Sequence, residues 1–559
     1  MYRLTPLVLL ALVGCEATPP LATIDAEYGD VLARLNAADR DVARNIHNRD
    51  ARRRKKDAEK ERVAFFRDPD VVGAIEAALE APEGSLERTK GEAYHRHAVF
   101  VRSWKDDEKE RETELLAKLD ALAGAEASWS PPEGALEIGL SGSWSTVSMQ
   151  ADALPAEQRA DLAAQFVEHH MAMVGDDLRE LVKLRNQVAR REGFDTFWHL
   201  SLYNQGLTEQ EVDQLIRELE PVVRPVNQAY ATRIAEQAQV LGLEPGFAND
   251  PYLRRQTGLE AGRDEADPYF DTDLAEDRVL ASLRRMGIEL DSWDVYSGPS
   301  RNTRRGAYSF PIRPPETIAL VVSQDRRFDA WQYEAIMHEA AHALRWTSLN
   351  PDALASPVLW DPPNAYTEGF AQLFERILMS EAWLASYTPD LPQEARADLV
   401  AWRARQMAWW VTHSIVETAV ERRVYEDPNN WEAVARICNE LEDGYGIAAG
   451  ATPTTEQGVS YCQALHTPLI WHYPAYIQNY LFSYVTEARL HDALVAAVGE
   501  PVDNPKVGPW LIENVTQQGA ITPFEARISA LSKDEDRTAA LQRYVTAPSP
   551  SPSPSEPAE

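Results

Sequence analysis

The sequence predicts a mainly α-helical fold, one large two-lobed domain carrying a short β-hairpin. Three observations predict it. Apolar residues recur at three- and four-residue spacing over long runs with few breakers, from about residue 29 to about residue 245. Strand patterning is confined to residues 306–322. The body of the 559-residue chain also lacks the linkers that would part separate domains, although its length alone allows several. At 44% hydrophobic and 26% charged it can bury a sizeable core.

The elements follow in order. Residues 1–14 read as a signal peptide: Arg3 precedes the apolar run Leu7–Val13, which Pro6 interrupts and which is too short to span a bilayer. The segment Leu12 to Cys15 resembles the lipobox of bacterial lipoproteins, implying cleavage before Cys15 and its lipidation, with residues 15–28 as anchor and tether. An ordinary secretory signal is the alternative. Glu16 is not the aspartate of an inner-membrane retention signal, so an outer-membrane envelope location is preferred to the inner membrane.

The body is expected over residues 29–546, with a helical lobe to about 290 and a second lobe from about 291. Val31–Arg67 and Glu157–Gly193 read as long helical runs, the second ended by Gly193. The basic run Arg52–Lys56, followed by acids, reads as a solvated helix face. Residues 245–272, rich in Gly, Pro, Asp and Arg, read as a loop or hinge, and residues 547–559 as a disordered Pro/Ser tail.

Residues 306–312 and 317–322 read as two strands joined by a turn at Arg313–Glu316. Such an edge, with Ala307 and Tyr308 on it, can pair with a peptide backbone without demanding particular side chains. His338, Glu339 and His342 follow in the pattern His-Glu-x-x-His. Four residues apart on a helix, both imidazoles reach one ion, while Glu339, about 100° away, can touch a water without ligating. A surface helix with two solvated histidines is the bland alternative. The apolar residues Trp331, Ile336, Met337 and Leu344 around the pair argue against it.

Glu368 opens a second apolar helix 26 residues after His342. A carboxylate there is costly unless paired or ligating, so Glu368 is the expected third ligand. Glu375, one face-repeat further on, is the fallback ligand or a carboxylate that orients a ligating histidine, and Asp361 is a weaker candidate. Two His and one Glu leave a position open for water, the arrangement of a catalytic Zn²⁺ site with one ion per chain. His466, Tyr473 and Tyr476 lie at relative positions 0, 7 and 10, groups suited to stabilising an oxyanion, though tyrosines more often merely pack.

In these motifs the chain resembles the gluzincin peptidases of the M2 and M3 families, which include angiotensin-converting enzyme, peptidyl-dipeptidases and oligopeptidases. The resemblance rests on His338–His342, Glu368 with Gly369, the stretch Arg185–Phe194, and His466, Pro468, Tyr473 and Tyr476. It implies a helical ellipsoid with a deep central channel, hydrolysis of short peptides, and His466 and Tyr476 as transition-state donors with Tyr473 on the substrate. Two positions depart: Ala464 stands where converting-enzyme relatives bind the substrate carboxylate by lysine, and Ala475 where they carry the arginine of chloride activation. Dipeptide release and chloride dependence are therefore not implied. A catalytically silent envelope lipoprotein that binds peptides, and a zinc hydrolase of other amides, are the competing readings.

The net charge of −32 argues against nucleic acid and anionic membrane surfaces as main partners. Besides Cys15 only Cys438 and Cys462 are present, and they read as a disulfide or as two buried thiols. Oligomeric state is not legible.

Overall fold

Leu21, Ile24, Tyr28 and Val31 form an apolar stripe at helical spacing, and helix α1 (Leu21–Arg44) buries all four against Phe66, Ile75 and Tyr94. The computed structural model describes residues 20–126, 154–243, 261–324, 329–445, 462, 470–471 and 473–546. The expected signal peptide at 1–14, Cys15, His466 and the expected tail at 547–559 lie outside these residues. Helix α1 begins at Leu21, within the segment 15–28 expected as anchor and tether. Each large apolar side chain of that stripe is worth about 1.5–3 kcal/mol when buried.

The run expected from Val31 to Arg67 is two helices. Asn45 leaves the helical region, and Asn48 caps α2 (Arg49–Arg67) by accepting from the Ala51 N–H at 3.0 Å. Asparagine competes with helix by bonding nearby backbone, which is why the break falls there. Arg52, Arg53, Arg54 and Lys56 are exposed on α2, as a solvated face requires.

Helices α3 (Pro69–Leu79), α4 (Leu86–Arg102), α5 (Asp106–Glu126), α6 (Ala156–Arg191), α7 (Phe197–Asn204) and α8 (Glu209–Val240) follow. Gly193, at φ +87°, turns the chain after α6. Thr208 and Glu211 form a capping box at the start of α8. The loop expected at 245–272 contains a short helix, α9 (Ala261–Ala266), before α10 (Ala275–Arg285).

The expected hairpin is present as β2 (Ala307–Arg313) and β3 (Thr317–Gln324), antiparallel. A third strand, β1 (Trp293–Pro299), pairs parallel to β3 on its other side, giving the order β1-β3-β2. Its alternation is weak, with burial uneven along it, and its partner lies beyond β2 in sequence. One sheet face, with Phe310, Ile312, Ala319 and Val321, packs on Ala43 of α1. The other face, with Ile318, Leu320 and Val322, lies on α11 (Asp329–Thr347).

The chain continues through α12 (Pro351–Leu354), α13 (Asn364–Leu378), α14 (Glu381–Tyr387), α15 (Gln393–Glu426), α16 (Trp431–Tyr445), α17 (Gln478–Val498), α18 (Val507–Leu511), α19 (Phe524–Leu531) and α20 (Ala539–Val545). The mainly α fold class thus stands, with one small sheet among the described residues. Two core clusters each draw residues from both sides of position 290. One cluster joins Leu178, Trp198 and Leu215 to Val416 and Leu481. Another joins Leu283, Leu320, Ile336 and Phe374 to Leu399 and Leu490. Helices α15 and α17 contribute to both clusters. At 1.5 Å per residue, α15 is about 50 Å long, enough to thread the two. Cys438 of α16 is disulfide-bonded to Cys462.

Gly369 lets α13 and α17 meet closely: a Cβ there would lie 2.6 Å from the Ser483 carbonyl oxygen and 2.6 Å from the Thr486 Cβ. Backbone cannot yield as a flexible side chain can. Gly369→Ala is therefore expected to destabilise the chain by about 1–3 kcal/mol by denaturant unfolding, despite alanine's better helix propensity.

Candidate metal centre and active site

Helix α11 is buried along most of its length, so the sequence that makes it apolar also carries His338, Glu339 and His342 into the interior. Helix α13 brings Glu368 opposite them. The Nε2 atoms of His338 and His342 are 3.2 Å apart. Glu368 Oε2 lies 3.4 Å from His338 Nε2, and its Oε1 lies 3.8 Å from His342 Nε2. For a tetrahedral ion with bonds near 2.05 Å, ligand atoms stand about 3.3 Å apart. The donor set fits a Zn²⁺-sized ion in both chemistry and spacing. Among the described residues it is the one cluster of His, Cys, Asp or Glu that could hold a metal.

The surrounding groups orient the ligands. Glu375 Oε1 lies 2.7 Å from His338 Nδ1, leaving Nε2 to face His342 and Glu368. Glu375 is itself held by Arg403 at 2.5 Å, and Arg403 reaches Glu334 at 3.3 Å. Of the two roles open to Glu375, its geometry is that of the orienting carboxylate. Asp361 is not placed as a ligand. It accepts from Arg345 at 2.7 Å and from the Trp346 indole at 2.8 Å, and Arg345 lies 3.1 Å from His342 Nδ1. Glu375→Ala is expected to weaken metal binding about 10–100-fold, measured by competition with a chromophoric chelator.

The electrostatics agree with a cation site. Burial alone would lower the proton affinity of His338, but hydrogen bonds to Glu368 and Glu375 outweigh it and hold the imidazole well above its ordinary value. Two carboxylates on one ring favour positive charge there, whether a proton or a metal. Burial lowers His342 well below its usual range, with Glu368 opposing and His338 and Arg345 assisting. Burial would raise Glu368, yet the His338 hydrogen bond, both histidine charges and the Tyr476 hydroxyl hold it at about 2. Burial pushes the Glu339 carboxyl up to about 7, against the pull of His338 and of a hydrogen bond with Ser309.

Tyr476 donates to Glu368 Oε1 at 2.8 Å, so its hydroxyl points at the metal cluster. Its ring lies 6.0 Å from that of Tyr473, which is half exposed, and 5.8 Å from that of Tyr480. The Tyr308 hydroxyl donates to the Arg305 carbonyl at 2.6 Å. Burial, and then the neighbouring Tyr473, push that phenol up to about 12. Tyr308 and Tyr473 are thus neighbours, and Glu339 lies within electrostatic reach of Tyr308. Ala307 packs with the core beneath α11. Sequence reasoning missed Ser309. Strand alternation puts residue 309 on the face opposite Tyr308 and Phe310, toward α11, and that signal could have found it.

Arg185 lies in the stretch that carried the family resemblance, and it is buried. It pairs with Glu112 at 2.9 Å and donates to the carbonyls of Ile470 at 2.8 Å and Trp471 at 3.2 Å. It ties α6 to the chain just before Tyr473.

No protein-family profile matches the sequence, and no curated protein matches it. Solved structures do match in shape. The M32 carboxypeptidase of Deinococcus radiodurans R1 is 14% identical, with TM-score 0.64, over 94% of this chain and 97% of that one. A carboxypeptidase of Pyrococcus furiosus is 12% identical, with TM-score 0.65, over 94% and 97%. A structure described as an oligoendopeptidase F is 14% identical, with TM-score 0.64, over 94% and 90%. At these identities the likeness establishes a shared fold.

Proposed function

We propose that the chain is a zinc-dependent peptidase that hydrolyses short peptides. The observation that carries this reading is the cluster of His338, His342 and Glu368 at tetrahedral spacing, with Glu339 beside it. That the similar folds belong to carboxypeptidases and an oligoendopeptidase supports it. A Zn²⁺ held by the three ligands would supply Lewis acidity toward the scissile carbonyl and would acidify a water. Glu339 takes the proton of the attacking water and delivers it to the leaving amine, a role suited to a carboxyl poised near neutrality. Tyr476 releases Glu368 and donates to the oxyanion, with His466 as the second donor inferred from the family pattern. Tyr473, Tyr308 and the β2 edge at Ala307 line the approach of the peptide.

The finer assignment is a peptidyl-dipeptidase or oligopeptidase of the M2/M3 kind. It rests on the His466, Tyr473 and Tyr476 pattern, whereas the matched folds include carboxypeptidases of another family. Mass spectrometry of products from one peptide, with its C-terminus free or amidated, decides between modes. Dipeptide products only from the free acid identify a peptidyl-dipeptidase, single residues a carboxypeptidase, and equal internal cleavage of both an oligopeptidase.

We also propose lipid anchoring through Cys15 to the cell envelope, with the outer membrane preferred. Helix α1 begins at Leu21, a few residues after Cys15, so the anchor would hold it near the bilayer. Among the described residues no helix is long and apolar enough to cross a membrane. Radiolabelled palmitate should enter the wild-type chain and not Cys15→Ser. Equal labelling of both counts against the anchor.

A further inference from the structure

We infer that Glu421 is a positioning residue for the Tyr476 hydroxyl, acting through a clamp on the Ala475 peptide unit. The inference rests on the peptidase reading, since it assigns Tyr476 the donor role. Ala475 adopts φ +50°, a left-handed conformation that a non-glycine residue holds only when its surroundings impose it. Its surroundings do so on both sides. Its N–H donates to Glu421 Oε1 at 2.6 Å. Its carbonyl accepts from Gln205 Nε2 at 2.6 Å and from the Gln478 amide at 2.5 Å. Gln205 Oε1 in turn accepts from Gln478 at 3.0 Å and Asn479 at 2.8 Å. Ala475 is fully buried, so no solvent competes for these bonds.

The left-handed turn decides where the next side chain goes. Tyr476 leaves it with its hydroxyl 2.8 Å from Glu368. If the Ala475 peptide relaxed to a right-handed or extended conformation, the Tyr476 Cα–Cβ direction would rotate away from the metal cluster.

Glu421 itself calls for an explanation. It sits on α15 at 4% exposure beside Glu417, with Arg185 as the neighbouring cation. Burial pushes its carboxyl up to about 8 despite the Ala475 hydrogen bond. Such a carboxyl is costly as packing alone, and an apolar residue would fill the place better. It keeps an oxygen for the Ala475 N–H in either protonation state.

The test compares wild type, Glu421→Ala, Glu421→Gln and Gln205→Ala in the full chain. In a crystal structure of E421A, Ala475 should leave positive φ and Tyr476 should leave Glu368. E421Q, whose amide oxygen still accepts, should keep both. On a quenched peptide, E421A should lose about tenfold or more in kcat with KM little changed, and E421Q should stay within about threefold of wild type. Combined with Tyr476→Phe, E421A should cost almost nothing further, because nothing is left to position. A fully additive loss, or an E421A structure with Tyr476 still on Glu368, overturns the inference. Should E421A not fold, Q205A reads the same clamp from its carbonyl side, with the same expected and contrary outcomes. If wild type cleaves no peptide, the peptidase reading fails, while the structures still decide whether Glu421 places Tyr476.

Discussion

Glu339→Gln is expected to retain metal and to lower kcat/KM for short peptides by about 10²–10⁴-fold, the range that proton transfer by a positioned base contributes. The substitution keeps size and shape, so α11 and its packing survive. Its amide can still accept a hydrogen bond from Ser309, the contact that fixes the carboxyl now. What it loses is the capacity to take a proton. Glu339 is 6% exposed, and burial raises its proton affinity, so a base at this point works near neutral pH. A bound dication beside it would draw that affinity back down. Zinc analysis and quenched-peptide kinetics on the same preparation check both halves of the expectation. Full activity in the metal-loaded variant would remove Glu339 from the mechanism.

Glu368→Ala is expected to abolish both metal retention and activity. This carboxylate closes the ligand triangle, at 3.4 Å and 3.8 Å from the two imidazoles, and accepts the Tyr476 hydroxyl as well. Without it two neutral nitrogens remain, too few to compete with a chelator for Zn²⁺. Stability gives a readout independent of turnover. A ligand present at 100 times its Kd stabilises the folded state by about 2.7 kcal/mol, so zinc should raise the Tm of wild type and leave that of E368A unmoved. The contrast with Glu375→Ala is informative. Glu375 contacts His338 through Nδ1, so its loss loosens the metal where loss of Glu368 ejects it.

The candidate metal cluster was legible in sequence because the histidine pair depends on helical spacing and the carboxylate stands out in an apolar helix. His338 and His342 are four apart on one helix, and Glu368 is an acid at the head of another apolar one. The hairpin was legible for a similar reason, as two apolar runs around Arg313–Glu316. What escaped depends on partners distant in sequence. β1 pairs directly with β3, which follows β2 in sequence, and no local pattern announces a parallel neighbour. Ser309 and Glu421 matter through what folds against them. Asn45 and Asn48 broke a run whose apolar periodicity continues on either side, so cap chemistry overrode pattern. Helices α15 and α17 serve both cores, which stayed hidden because a helix read on its own shows an apolar face without showing its partner.

Adding Zn²⁺ stepwise to chelator-stripped full-length chain, while following cleavage of an internally quenched peptide, tests the central claim most directly. Activity should rise in proportion to added ion and level off at one equivalent per chain, as a single cluster of His338, His342 and Glu368 requires. Hydrolysis that proceeds unchanged in the stripped protein, or a chain that takes up the ion stoichiometrically and cleaves no peptide, would contradict it.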